Sequence, residues 1–149
     1  MKSIIKAIVL LVIFPLSTLA FEFDMTNPIT VAKNSTEWGL KFQYDKVRMI
    51  SCKEISNYLT AAEKQADQAI ELFRRNGIDF RKEVAYDFSN LSYELVSENE
   101  SSATVHLKGN YKATIPNAMN KNNSMNRQIS LKKKDGFYYF CGGEKLSNN

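Results

Sequence analysis

The chain has 149 residues, of which 44% are hydrophobic and 24% are charged, with only six glycines and three prolines. This balance excludes a disordered or collagen-like chain, and the length is that of one ordinary domain. The formal net charge of +4 would suit a nucleic-acid partner, because that affinity comes from neutralising several phosphates at once.

Residues 1–20 have the pattern of a cleaved export signal. Lys2 and Lys6 supply the positive start, an apolar run follows, and Thr18-Leu19-Ala20 carries the small residues that a signal peptidase requires. The apolar run is shorter than the roughly 20 residues of a spanning helix, so we expect no membrane span after cleavage. The alternative is an uncleaved N-terminal anchor.

Removal of this signal changes the charge argument. Cleavage takes away two lysines and no acidic residue, which leaves 129 residues (21–149) with a net charge of +2. A nearly neutral exported domain is a poor nucleic-acid binder, and that partner is dropped. The sequence therefore predicts an exported protein, periplasmic in a bacterium or secreted.

Cys52 and Cys141 are the two cysteines of the chain. An oxidising compartment favours the pairing of an even number of cysteines, and two allow one connectivity, so we predict a disulfide between them. The alternative is a free Cys52 thiol in the first turn of a helix, where the pKa of a thiol is lowered. The chain has no Cys-x-x-Cys pattern, which favours the bridge.

The segment before Cys52 carries a weaker pattern. Trp38, Leu40, Phe42 and Tyr44 alternate with polar or small residues, which indicates a strand that precedes a helix. Residues 21–36 would then be a loosely ordered N-terminal arm, and the choice between strand and arm for this segment stays open.

A long helix is predicted from about Ser51 to Arg75. Ser51-Cys52-Lys53-Glu54 matches a capping box, Arg75 is a cation in the last turn, and Gly77 is a plausible stop. A second capping-box match at Thr60 leaves a break in the helix open. The apolar positions that recur at helical spacing are Ile55, Tyr58, Leu59, Ala62, Ala66, Ala69, Ile70 and Phe73. Such a one-sided helix needs an apolar surface to lie on, and a sheet would supply it.

The clearest strand covers residues 103–115. Its odd positions are small or apolar, apart from Tyr111, and its even positions are polar, which is typical of an antiparallel strand with one buried face. Gly109 at its centre suggests a bulge or bend. Leu91, Tyr93 and Leu95 repeat the alternation before it.

A hairpin follows, in which Lys134-Asp135-Gly136 joins a strand at Ile129 and Leu131 to the run Phe137–Cys141. A two-residue loop would place Cys141 on the face opposite Ile129, whereas a three-residue loop with Gly136 as a bulge would place it on the same face. Because the disulfide must reach the helix, we predict the bulged turn that pairs residue 133 with residue 137.

Residues 116–126 are polar, rich in asparagine and too long for a tight turn, which predicts a functional or mobile loop. Methionine side chains provide adaptable apolar contacts, so this loop is a candidate surface for a protein partner. The residues proposed for that contact are Asn117, Met119, Asn120, Asn123 and Met125.

This order of elements, with one long helix and then antiparallel strands that end in a Lys-Asp-Gly-aromatic hairpin, resembles the cystatin/nuclear transport factor 2-like superfold. The resemblance covers roughly residues 50–141. Within the superfold, this part of the chain resembles small exported bacterial proteins in which an Ala-Thr-Val-type strand precedes such a hairpin. It implies an α+β fold, in which one long helix packs on a curved antiparallel sheet of four to five strands. The Gln-x-Val-x-Gly hairpin and Pro-Trp turn of cystatin inhibitors are absent.

Enzymes of this superfold place a His–Asp pair, or an Asp with a Tyr, in a cavity between helix and sheet. The single His106 falls on the polar face of its strand, and no carboxylate falls on the inward positions between 103 and 115. We therefore name no catalytic residue, metal site or cofactor. The residues predicted to face a cavity are Tyr58, Tyr93, Tyr111 and Tyr139.

The leading hypothesis is an exported, non-enzymatic binding or accessory protein that recognises a protein partner or a small apolar ligand. A role in immunity or in a secretion system would fit the size, the export and the fold. The alternative is a small-molecule enzyme or carrier that uses the cavity between helix and sheet. A fold of this kind hosts both classes, so the site must decide between them.

Overall fold

The computed structural model describes residues 24–118 and 120–146, and the predicted export signal lies outside them. Within that part of the chain, a helical segment is followed by an antiparallel sheet of five strands, which confirms the α+β class. No helix in the described ranges has the length and the apolarity needed to cross a membrane.

The helices are α1 (Pro28–Leu40), α2 (Tyr44–Met49), α3 (Ser56–Arg75) and α4 (Phe80–Glu83), with a 3₁₀ turn at Lys53–Ile55. The strands are β1 (Ala85–Asp87), β2 (Leu91–Glu98), β3 (Ser102–Thr114), β4 (Lys121–Lys134) and β5 (Phe137–Lys145).

The sheet is built around β3, the strand with the clean alternation in sequence. β4 pairs with one edge of β3 and β5 pairs with the outer edge of β4, while β1 and β2 lie end to end along the other edge of β3. Ala103, Val105 and Leu107 are buried on the inward face as predicted. The strand boundaries agree with the sequence prediction to within one residue.

Gly109 marks the point where β2 takes over from β1 beside β3. The pairing of β3 with β4 continues through this residue without a register shift. On the other edge the register changes by one residue between the pair Asp87–Lys112 and the pair Leu91–Gly109, so the irregularity predicted at Gly109 lies on that edge. The backbone of Gly109 has φ of +119°, and a Cβ atom would lie 2.0 Å from the carbonyl oxygen of Asn90. A glycine is required because another backbone comes this close.

The strand predicted around residues 38–44 is wrong, since these residues belong to α1, a turn and α2. The Asn27 side chain caps α1 by accepting from the backbone N–H groups of Ile29 and Thr30, and Pro28 occupies the first helical position. The buried face of α1 consists of Pro28, Val31, Ala32, Ser35 and Trp38, which is a helical and not an alternating spacing. Much of the segment proposed as a loose arm is therefore a packed helix.

The helix that lies across the sheet is α1, and not the long helix of the prediction. α1 contacts β2, β3, β4 and β5, whereas α3 packs mainly against α2, α4 and the 3₁₀ turn. Only Leu59 and Ala66 of α3 are fully buried, and Leu72 remains 62% exposed. The hydrophobic core is accordingly formed between α1, α2 and the inward faces of β3, β4 and β5, with Leu59 as the contribution of α3.

The capping box predicted at Ser51 does not form. The Ser51 hydroxyl donates to the carbonyl of Val47 at 2.6 Å, at the end of α2, and α3 begins five residues later without a side-chain cap. Ser51 instead forms a parallel bridge with Phe140. α3 is continuous through Thr60, so the break that the sequence left open is absent.

The hairpin between β4 and β5 has a two-residue turn, which corrects the predicted bulged turn. Lys134 pairs with Phe137, and Asp135 and Gly136 both have positive φ, as the tight hairpin turn requires. Tyr138 and Phe140 consequently face the core in place of Phe137 and Tyr139, and Tyr138 is 1% exposed. A bulge does occur in this pair, but between Ile129 and Leu131.

The predicted disulfide joins Cys52 to Cys141, with their Cα atoms 5.0 Å apart. The two-residue turn permits it because the backbone before α3 runs alongside β5. The N–H of Cys52 donates to the carbonyl of Phe140 at 2.8 Å, and the N–H of Phe140 donates to the carbonyl of Ile50 at 2.7 Å. These two hydrogen bonds bring the cysteines next to each other without a change of register at the turn.

Candidate functional site: an apolar cavity between the helices and the sheet

A cavity of about 580 Å³ lies between the helical layer and the inward face of the sheet. The helical side is contributed by α1, α2, the turn that joins them and the start of α3, and the sheet side by β3, β4 and β5. Its volume falls within the roughly 300–1,000 Å³ typical of small-molecule sites.

The helical wall depends on the turn between α1 and α2. Phe42 in that turn has φ of +59°, an uncommon conformation for a residue with a side chain. Its ring stacks on Phe80 with the centroids 4.9 Å apart, a contact that holds the aromatic side chain at the edge of the cavity. Gly39 at the end of α1 also lines the cavity, and a Cβ atom there would meet no heavy atom within 4 Å.

Two hydroxyl groups on α1 line the same wall. Ser35 donates to the carbonyl of Ala32 at 3.0 Å, and Thr36 donates to the same carbonyl at 2.9 Å. Both hydroxyl protons are therefore donated within the helix, and each hydroxyl can interact with a further group only as a hydrogen-bond acceptor.

The sheet wall is apolar and opens where β5 lacks side chains. Leu107, Met125 and Ile129 contribute from β3 and β4, and Phe140 contributes from β5. Gly142 and Gly143 follow Phe140 along the wall, so the cavity reaches the backbone of β5 at this point.

Among the described residues 24–118 and 120–146, Arg127 is the one charged side chain that lines the cavity. Two phenols, Tyr44 and Tyr58, accompany it. Burial raises the pKa of Tyr44, and the neighbouring Tyr58 raises it further. The lining thus contains no carboxylate, imidazole, amine or thiol in the described chain, and an arginine stays protonated at any physiological pH. No general base with a pKa near neutral is available.

The four tyrosines predicted to face a cavity are not brought together. Tyr58 lines the rim and is 69% exposed, whereas Tyr93, Tyr111 and Tyr139 do not line the cavity. Burial, and then the nearby Glu37, raise the pKa of Tyr93, while the Thr36 side chain lowers it. The Tyr111 ring packs against Phe88 on the β1 side of the sheet.

The predicted partner-binding loop is much shorter than residues 116–126. Asn117 lies in a tight turn with φ of +58°, and Asn120 is exposed just before β4. Asn123 and Met125 belong to β4 itself, where they pair with Tyr111 and Gly109 of β3. Met125 therefore lines the cavity and not a loop surface. Met119 falls outside the described residues.

His106 lies on the outward face of β3, as the alternation predicts, and its Nε2 is 2.8 Å from the side-chain oxygen of Asn126 on β4. No cluster of three or more potential metal ligands occurs in the part of the chain that the structure describes.

Sequence reasoning missed most of the cavity, although signals for it were present. Asn27-Pro28 is a helix-start pattern, and the spacing of the apolar residues that follow it would have identified α1. Arg127 was also detectable, because it interrupts a run of apolar odd positions from Met125 to Leu131.

Comparison with known proteins does not assign this chain to a family. No family model matches the chain, and no curated protein is significantly similar to it. A solved structure similar to the chain is a SEC-C motif containing protein from Rhodopseudomonas palustris, at a TM-score of 0.46 and 12% identity over 83% of this chain and 81% of that one. A likeness at this level carries no argument about function.

Proposed function

We propose that this chain is a non-enzymatic binding protein that holds a small apolar ligand in the cavity between its helices and its sheet. The observation that carries the proposal is the cavity of about 580 Å³, whose walls are mainly aliphatic and aromatic. A small-molecule site typically combines such walls with few polar groups, and Arg127 and the tyrosines fit that description.

The alternative, a small-molecule enzyme, has less support from the lining. Arg127, Tyr44 and Tyr58 are the ionisable groups that line the cavity in the described residues, and none of them is a general base at neutral pH. A carrier is compatible with the same lining, since holding a ligand requires no acid–base group. A protein-binding loop is less favoured, because Asn123 and Met125 are paired within the sheet.

Export and superfold are part of the same proposal. The disulfide between Cys52 and Cys141 supports an oxidising compartment, in agreement with the signal pattern at residues 1–20. A helix that lies across an antiparallel sheet supports the cystatin/nuclear transport factor 2-like superfold, with α1 in the place that the sequence assigned to α3.

The test uses Nile red, a neutral apolar dye whose fluorescence rises in apolar sites. The purified chain without residues 1–20 is expected to bind the dye saturably at one site per chain. Gly39→Leu should weaken binding at least tenfold, because the added side chain has room to occupy the cavity.

The matched control is Lys33→Leu, which adds the same side chain to an exposed position of α1 outside the cavity. Both variants must show the unfolding midpoint of a folded protein. Absence of saturable binding by the wild type, or equal binding by the two variants, would reject the cavity as a ligand site.

A further inference from the structure

The inward face of β4 contains a charge where the pattern calls for an apolar side chain. Met125, Ile129 and Leu131 pack in or against the core, and Arg127 shares their face because alternate residues of a strand point the same way. Its partner on β3 is Leu107, which is 1% exposed. Arg127 is nevertheless exposed, so its guanidinium lies at the open side of the cavity, where an anion from solution can reach it.

The residue opposite Arg127 on the other neighbouring strand is also a cation. Arg127 pairs with Lys145 of β5, and directly paired residues project from the same face of a sheet. Like charges in this position are unfavourable. Neither side chain forms an ion pair with any residue of the described ranges 24–118 and 120–146.

The nearest acidic residue along β5 lies on the wrong face. Glu144 pairs with Gln128, and this pair projects from the opposite side of the sheet. The cavity therefore has two adjacent positive charges at its β4–β5 side, one of which lines it, and no negative charge among its described lining residues.

We propose that the ligand of this cavity is an anionic amphiphile, whose carboxylate or phosphate lies between Arg127 and Lys145 and whose hydrocarbon part occupies the apolar cavity. The inference rests on the proposed function, because it adds the headgroup to a ligand that the cavity walls would hold. Arginine suits this task, since its planar fork donates two parallel hydrogen bonds to a carboxylate or a phosphate.

The charge preference is measured with probes of one chain length and different headgroups. Sodium decanoate, decyl phosphate, 1-decanol and decyltrimethylammonium each displace Nile red from the wild-type chain at neutral pH. We expect decanoate or decyl phosphate to bind at least tenfold more tightly than 1-decanol, and the ammonium probe to bind most weakly. High salt should reduce this preference, because it screens the charges at the rim.

The double variant Arg127→Gln/Lys145→Gln tests the residues. The ratio of anion affinity to alcohol affinity is expected to fall close to one in this variant. The matched control Arg81→Gln/Lys134→Gln removes one arginine and one lysine, both exposed and outside the cavity lining, and should retain the wild-type ratio.

The outcomes separate this inference from the proposed function. If the wild type does not bind the dye saturably, the proposed function fails and the inference fails with it. If the dye binds and no decyl probe displaces it, the inference is overturned while the cavity remains a ligand site. If 1-decanol binds as well as decanoate, or if the preference for the anion survives in Arg127→Gln/Lys145→Gln, the inference is overturned while the cavity remains a ligand site. Binding of decyl phosphate but not decanoate, or the reverse, assigns the headgroup.

Discussion

Loss of the disulfide is expected to destabilise the protein strongly while leaving its fold intact. The perturbation is the double variant Cys52→Ser/Cys141→Ser, or reduction of the wild type. Two backbone hydrogen bonds between Phe140 and the Ile50–Cys52 segment do not depend on the sulfur atoms, so they still hold this segment against β5. The main effect then falls on the unfolded chain, which gains freedom when the link is removed.

The magnitude follows from the length of the closed loop. Cys52 and Cys141 are separated by 89 residues in sequence. The chain-entropy model gives a stabilisation of roughly 4–5 kcal/mol for a loop of this size, and this figure is an upper value because many disulfides deliver less. A typical domain has a total stability of about 5–15 kcal/mol, so the link would contribute a large share.

Urea unfolding of the oxidised wild type and of the double variant measures this difference. Trp38 is the sole tryptophan and is 8% exposed, so its fluorescence reports the opening of the core. We expect a lower midpoint in the variant, with near-native far-ultraviolet circular dichroism before the transition. A loss of stability below about 1 kcal/mol would refute the entropic argument. A failure of the wild-type mass to rise by two hydrogens on reduction would refute the link itself.

Three further predictions concern the sheet, the core and the surface charges. Gly109→Ala should lower the free energy of unfolding by about 2 kcal/mol or more, as measured by thermal unfolding. The new Cβ would lie 2.0 Å from a backbone carbonyl oxygen, at a residue with positive φ. A change below about 0.5 kcal/mol would contradict the close approach. Leu131 is 2% exposed, so Leu131→Ala should lower the free energy of unfolding by about 2–5 kcal/mol. Leu72→Ala, on the exposed face of α3, should change the free energy of unfolding by less than about 0.5 kcal/mol, and similar losses in the two variants would place Leu72 in the core. Arg48, 2.5 Å from Glu63, holds the pKa of that carboxyl below its ordinary value of 4.5, so the unfolded state binds the proton more readily. This stabilisation is therefore present above that ordinary pKa and is lost as the pH falls through the lower pKa of the folded state. The melting temperature of the wild type should fall more on acidification than that of Glu63→Gln, and parallel curves would contradict the assignment.

β3 was predictable because its side chains alternate with the environment of its two faces, whereas the first part of β4 was predicted as a loop because its residues are polar. β3 alternates over its whole length, so its boundaries could be placed from sequence alone. α1 was misassigned because Trp38, Leu40, Phe42 and Tyr44 alternate across the end of a helix and a turn. The alternation there is accidental, since Trp38 belongs to the buried face of α1 and Phe42 adopts a positive φ in the turn.

Which helix covers the sheet could not be obtained from amphipathicity. α3 has the stronger one-sided pattern, yet its stripe is rich in alanine and buries little surface. α1 carries Val31 and Trp38, which offer larger apolar side chains to the sheet, and burial of apolar area determines the packing. Tyr139 was placed in the cavity by the predicted bulged turn, and the two-residue turn moves Tyr138 and Phe140 to the core face in its stead.

The bulge between Ile129 and Leu131 connects the hairpin to the charges of the cavity. From the turn up to Leu131, each residue of β4 pairs with β5 in a regular register, and beyond the bulge the register is shifted by one residue. If the register next to the turn continued along the whole pair, Arg127 would stand opposite Glu144, a position that suits a cross-strand ion pair. The bulge moves Glu144 to the other face and places Lys145 beside Arg127, at the same point where Gly142 and Gly143 open the wall. The one-residue register shift thus pairs Arg127 with a second cation in place of Glu144, beside the two glycines of the cavity wall, which is the arrangement expected if a ligand supplies the anion.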